Sequence, residues 1–195
     1  MDVGVLFSGG ADSALAARLL EPHCSVTLVS CRFAPVDTDP VHESAVALSL
    51  PFERTVLDEA VLDTAAETAH ADGFPRNAIQ DIHEHALETV AAGSFGFVAD
   101  GTRRDDRTPT VPRSVAQRIE DRHGVGHLAP LAGIGHRAVD ALQSASLEVV
   151  TGPCESIAVG DYETELRSAI ADRFGRARVD EVFPDHDQSR VVGRR

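Results

Sequence analysis

Two polar turns carry the residue types that can do chemistry in this sequence. Ser8-Gly9-Gly10-Ala11-Asp12-Ser13 follows an apolar run ending at Phe7, and Asp100-Gly101-Thr102-Arg103-Arg104-Asp105-Asp106-Arg107 follows Ala99. Adjacent glycines let a backbone approach a ligand closely, and the first amides of a helix that opens there can bind an anion. The hydroxyls of Ser8 and Ser13 add hydrogen bonds, while Asp12 can order the loop or hold a Mg²⁺ that bridges phosphate oxygens. Such a turn suits a pyrophosphate group. The plainer alternative is a glycine turn with Asp12 or Ser13 acting as a helix cap. The segment fits neither GxxxxGK[ST] nor GxGxxG.

In the second turn, Asp105 and Asp106 are paired carboxylates, which stay ionised most cheaply with a cation between them. Their alternative is a solvated charge run or a helix cap. Arg103, Arg104, Arg107 and Arg113 are placed to neutralise phosphate charge bidentately. Asp81 to Leu87 reads DIHEHAL, but His83 and His85 lie two apart on a helix and cannot share a face, so the segment does not make a zinc site. Arg76 and Asn77 open the following helical pattern after Pro75, where they either face substrate or cap the surface. Cys31 reads as a core residue.

These turns must be positioned by regular elements, and the hydrophobic pattern supplies them. Apolar runs suited to buried parallel strands occur at Val3 to Phe7, Val26 to Cys31, Phe52 to Leu57, Phe95 to Ala99, Gly126 to Ala129 and Leu147 to Thr151. Helical patterns lie between them, at Ala11 to Leu20, Val41 to Leu50, Glu59 to Ala69, Arg76 to Ala92, Pro112 to His123, His136 to Ser144 and Tyr162 to Phe174. This alternation predicts an α/β fold with a mostly parallel twisted sheet covered on both faces. Ligands of such sheets sit at the carboxyl ends of strands, where both polar turns fall. Without an internal repeat or linker, residues 1–195 read as one domain, with an irregular tail over 179–195.

Composition bounds the rest. Among 195 residues, 31 are acidic and 18 basic, and every basic residue is Arg, giving a net charge of -13. The pattern resembles proteins of salt-loving organisms, in which an acidic surface stays hydrated and its repulsion is screened. It disfavours nucleic-acid binding without excluding it, since a local Arg patch can hold a phosphate backbone. No apolar stretch reaches a membrane span, and no basic region precedes a long apolar one, so a cytoplasmic protein is expected. Three widely spaced cysteines, Cys24, Cys31 and Cys154, fit a reducing compartment and not a disulfide scaffold.

FSGGADS directly after an N-terminal strand resembles the SGGxDS signature of the PP-loop ATP pyrophosphatases, a superfamily that includes asparagine, GMP and NAD synthetases and tRNA-thiolating enzymes. The resemblance implies an adenine nucleotide alpha hydrolase-like three-layer sandwich. It also implies an adenylating activity: a substrate oxygen attacks the α-phosphorus of ATP, pyrophosphate leaves, and a nitrogen or sulfur nucleophile then displaces AMP. On this basis Ser8, Gly9, Gly10, Asp12 and Ser13 hold the pyrophosphate portion, and backbone near Ser30 and Cys31 contacts adenine. DGTRRDDR is similar to the DGTxxDD segment of the sulfur-transferring branch, which includes the ATP-dependent sacrificial sulfur transferase. That likeness implies that Gly101 and Thr102 close against the nucleotide, that Arg103 assists catalysis, and that Asp12, Asp105 and Asp106 hold Mg²⁺. Ala129 to Leu131 and Cys154 resemble the SPL and cysteine region of the same enzymes, which implies Cys154 as a sulfur donor.

The expected acceptor is a small molecule or an RNA base, with a separate sulfur or ammonia donor protein and a homo-oligomer both compatible with the chain. A second class of reading is a sensor or scaffold module that binds ATP or AMP without turnover. Tight nucleotide binding without pyrophosphate release separates that class from an enzyme.

Overall fold

The computed structural model describes residues 1–34, 40–154 and 156–195. Strands β1 (Asp2–Leu6), β2 (Ser25–Arg32), β3 (Phe52–Val56), β4 (Phe97–Ala99) and β5 (Gly126–Leu128) form a parallel sheet in the order β3-β2-β1-β4-β5. Val3, Val5 and Leu6 in β1 and Leu28, Val29 and Cys31 in β2 are all buried, as expected of central strands covered on both faces. The chain order reverses beside β1, whose neighbours are β2 and β4.

Alternation along the strands divides the core into two layers. Leu6, Val29, Cys31 and Val98 pack with α3 (Glu59–Asp72), α4 (Arg76–Ala91), α5 (Arg113–His123), α7 (Tyr162–Phe174) and α8 (Arg176–Val182). Val3, Val5, Phe7, Leu28 and Ala99 face α1 (Ala11–Leu20), α2 (Pro40–Leu48) and α6 (His136–Ser146). The result is a Rossmann-like three-layer sandwich, as the strand and helix pattern predicts. Local chemistry marks the helix ends. Asp58 accepts the Ala60 amide at the start of α3 (3.0 Å), Asp161 accepts the Thr164 amide at the start of α7 (3.1 Å), and α3 and α5 end on Gly73 and Gly124 with φ of 67°.

Two expectations are corrected. The run at Leu147 to Thr151 is not a sixth parallel strand. It belongs to β6 (Leu147–Pro153), which pairs antiparallel with β7 (Asp187–Arg194) in a separate two-stranded sheet. Only Leu147 in β6 is fully buried, which is the signature of a half-covered strand and not of a sheet interior. The tail over 179–195 is not irregular either, since it completes α8 and forms β7. Its apolar content is too sparse to announce a strand, and pairing with β6 supplies the order. β7 also docks on the first polar turn: the Val191 amide donates to the Gly9 carbonyl (2.9 Å) and the Ser44 hydroxyl to the Val191 carbonyl (2.7 Å).

Candidate functional site

A cavity of about 420 Å³ opens at the carboxyl ends of β1, β2 and β4, beside the point where the strand order reverses. Both polar turns contribute to it. From the first come Ser8, Asp12 and Ser13, and from the second Asp100, Gly101, Thr102, Arg103 and Asp106.

The first turn is built by its backbone. Gly9 has φ of 83°, a left-handed conformation that glycine adopts without strain. Gly10 is the N-cap of α1 in extended conformation and has no side chain to cap that helix end; the Ser189 hydroxyl of β7 accepts the Ala11 amide instead (3.4 Å). The capping alternative for Asp12 or Ser13 is therefore not what forms. Ser13 instead accepts the Ser8 amide (3.4 Å) and donates to the Gly10 carbonyl (3.2 Å), tying the loop to itself. Gly160 closes the loop from outside, its amide donating to the Ser8 carbonyl (2.8 Å).

The second turn is pressed against the first. A Cβ on Gly101 would lie 2.8 Å from the Ser13 nitrogen and 2.9 Å from the Asp12 carbonyl carbon, so only glycine permits this approach. Asp100 behind it is fully buried, accepting the Thr102 amide (2.7 Å) and pairing with His127 Nε2 (2.7 Å). Burial pushes its carboxyl up, but the His127 hydrogen bond, the nearby His83 and the Thr102 amide outweigh it and leave the group below the usual range.

Asp12 and Asp106 face the cavity with Arg103 between them. Arg103 donates to Asp106 Oδ1 through Nε (2.9 Å) and Nη2 (2.8 Å), and its Nε lies 3.5 Å from Asp12 Oδ2. Asp12 also accepts from Gln143 (2.7 Å). Burial raises the Asp12 carboxyl above its ordinary value despite Arg103. This arrangement gives two carboxylates and one guanidinium beside the α1 end, whose Ala11 amide donates to the Ser189 hydroxyl; the excess negative charge means that a polyanion binds here together with a cation.

Other candidates lie elsewhere. Asp105 is exposed, paired with Arg104 (3.2 Å) and accepting the His136 amide at the start of α6 (2.9 Å). Asp105 and Asp106 thus point apart and do not form a shared cation site. Arg104, Arg107 and Arg113 are exposed and do not line the cavity, so only Arg103 of the expected cluster does. Cys31 lines the cavity wall, with burial pushing its thiol up to about 12, while the Ser30 hydroxyl is buried on the Gly160 side. Asn77 donates to the Asp72 carboxylate at the surface (2.8 Å), facing away from the cavity and capping no helix end. Cys154 lies just past β6, within 4.8 Å of groups on Glu163 and His186.

The remaining wall carries no signature in residue spacing. His83, Asp161, Tyr162, Glu163, His186 and Gln188 line it, from α4, the start of α7 and the approach to β7. His83 faces away from His85, as helical geometry requires; its Nε2 has no hydrogen-bond partner among the described residues, and burial lowers its affinity for a proton. Gln188 donates to Asp161, joining β7 to α7 across the cavity rim. A helix cap, a helix-face histidine and a polar strand have ordinary structural uses, and only the fold shows that they converge.

The fold and site define a class: a Rossmann-like α/β protein with a glycine-loop cavity at the switch point of its parallel sheet. Over residues 1–193 the chain matches the model of a family of unknown function, DUF7411, and it belongs to that family. The uncharacterized protein MJ0690 of Methanocaldococcus jannaschii is 35% identical, over 99% of this chain and 96% of the relative. A crystal structure described as a predicted subunit of tRNA methyltransferase, also from M. jannaschii, is similar with a TM-score of 0.89 and 33% identity, over 100% of this chain and 98% of the other. Among the described residues, no helix is long and apolar enough to cross a membrane.

Proposed function

We propose that this protein is a PP-loop ATP-binding enzyme that adenylates an acceptor and releases pyrophosphate. The observation that carries the reading is the contact of Gly101 with the Asp12–Ser13 backbone, which locks two ligand-facing turns over one cavity at the carboxyl ends of β1 and β4. Ser8, Gly9, Gly10 and Ser13 surround the pyrophosphate portion, and the α1 end offers amides to phosphate oxygens, with the Ser189 hydroxyl giving way at Ala11. Backbone at Ser30 and Cys31 lies beside adenine. Arg103 neutralises charge that builds on the α-phosphate as the acceptor oxygen bonds to phosphorus and the bond to pyrophosphate breaks.

Mg²⁺ would be held by Asp12 and Asp106, the carboxylates that share the cavity, once Arg103 releases the two Asp106 oxygens it now bonds; when bound, the ion would screen phosphate charge. Asp105 is left out of this set by its position. The second step, displacement of AMP by sulfur or nitrogen, falls to a donor entering past the wall of α7 and β7. The structural relative's description as a subunit of a tRNA methyltransferase favours an RNA acceptor and a partner protein over a free metabolite. A basic patch is not required for this if the partner holds the RNA backbone.

The test is pyrophosphate release from ATP and Mg²⁺ in high salt, with transfer RNA lacking its modifications as acceptor and a metabolite extract in parallel. RNA-dependent release supports the reading. Tight ATP or AMP binding with no release in either arm leaves a nucleotide-binding module and removes the enzyme.

A further inference from the structure

Cys154, Glu163 and His186 come from three separate segments and converge on one point at the rim of the cavity. Their ligand atoms, the thiol sulfur, a carboxylate oxygen and a ring nitrogen, all lie within 4.8 Å of one another. The segments are held together independently of those side chains, because the Cys154 amide donates to the His186 carbonyl (3.1 Å) at the end of the β6–β7 ladder.

The atoms around the cluster already have the orientation that a metal requires. His186 Nδ1 faces the Pro184 carbonyl at 3.3 Å; donating there puts the ring proton on Nδ1 and leaves the Nε2 lone pair free. His186 Nε2 lies 3.6 Å from Glu163 Oε2, beyond hydrogen-bond distance, with both atoms turned to the same space. The other oxygen of Glu163, Oε1, is taken by Arg167 Nε at 2.7 Å, fixing the carboxylate with Oε2 turned toward the histidine. Arg167 is itself held over the Phe183 ring, 4.4 Å from its centroid, and its Nη2 lies 4.0 Å from the Cys154 sulfur.

From this geometry we infer that Cys154, Glu163 and His186 form a three-ligand site for a thiophilic divalent cation, of which Zn²⁺ is the natural occupant. The sulfur, nitrogen and oxygen set suits a borderline-soft ion and not Mg²⁺ or Ca²⁺. Three protein ligands leave a fourth position for water or a substrate group, and Glu163 and His186 also line the cavity, so that position opens toward it. The site is separate from the Asp12 and Asp106 carboxylates and does not depend on the ATP reading.

The experiment titrates the chelator-treated full chain with Co²⁺ and Zn²⁺ in the absence of nucleotide. The expected result is saturable binding of about one equivalent, with a thiolate-to-cobalt charge-transfer band in the near ultraviolet that Zn²⁺ displaces. The band disappears in Cys154→Ser and survives in Cys24→Ser. His186→Asn, at an exposed position that folding tolerates, weakens affinity by at least the roughly 10- to 100-fold typical of losing even an outer-shell partner. Absence of saturable binding, a bound cobalt without the charge-transfer band, or unchanged affinity in His186→Asn each overturns the assignment.

Discussion

The two walls of the cavity are made in different ways. The β1 and β4 side is backbone brought to close quarters: Gly9 in a left-handed conformation, Gly10 opening α1, and Gly101 pressed on the next turn. The α7 and β7 side is made of side chains, with Glu163, His186 and Gln188 brought to one wall by the packing of α7 and the β6–β7 hairpin. Backbone surfaces suit a ligand part common to every turnover, such as a polyphosphate, and side-chain surfaces suit the part that distinguishes one acceptor from another. On the proposed function, the backbone wall would hold the nucleotide and the side-chain wall would select the acceptor.

The largest expected effect comes from the support of the backbone wall. His127→Leu leaves the Asp100 carboxylate buried without its partner, and removing one member of a buried pair costs about 3–5 kcal/mol. Chemical denaturation checks this, and a loss below about 1 kcal/mol would show that the β4 turn is held by something else. Gly101→Ala comes next. Its Cβ meets backbone and not a flexible side chain, so overpacking of about 1–3 kcal/mol is expected, together with weaker ATP binding in a calorimetric titration. Gly9→Ala places a Cβ in the left-handed region at a cost of about 1–2 kcal/mol, with wild-type affinity ruling out a need for that conformation.

A pH prediction sharpens the floor between the walls. Burial holds His83 below its ordinary proton affinity, with His127 adding to that and Asp100 opposing it. The folded state therefore keeps His83 neutral where the unfolded chain takes up a proton. Its contribution to stability is complete above about pH 6.5 and declines as pH falls below that value through the folded-state range. His83→Phe should flatten that part of a stability-versus-pH curve, and an unchanged slope would assign it to another group. The smallest effect is expected from Gln188→Ala on the side-chain wall: about 1 kcal/mol or less in stability, unchanged ATP affinity and altered acceptor-dependent turnover. Equal losses in ATP affinity from Gln188→Ala and Gly101→Ala would erase the distinction between the walls.

The same division explains what was legible in the sequence. Glycine at a strand end is a local signal, because the need for a missing Cβ is written at one position, and Ser8 to Ser13 and Gly101 were readable for that reason. The five parallel strands and the helices from α1 to α7 followed from apolar runs and helical periodicity. β7 did not, since Gln188-Ser189-Arg190-Val191-Val192 gains its order from β6 and its burial from one valine. Asp105 and Asp106 looked equivalent because adjacency says nothing about direction; Arg103 draws one inward and Arg104 and His136 draw the other out. His186 and Glu163 had no local signature at all, as their meeting depends on how α7 and the hairpin pack.

The central claim is that the glycine-turn cavity binds ATP through its phosphates. Calorimetric titration of ATP with Mg²⁺ into wild-type and Asp12→Ala protein at high salt tests it most directly. One-to-one binding by the wild type, abolished in a variant that still melts cooperatively, is the predicted result. Equal affinity in the two proteins, or no binding by the wild type, would contradict it.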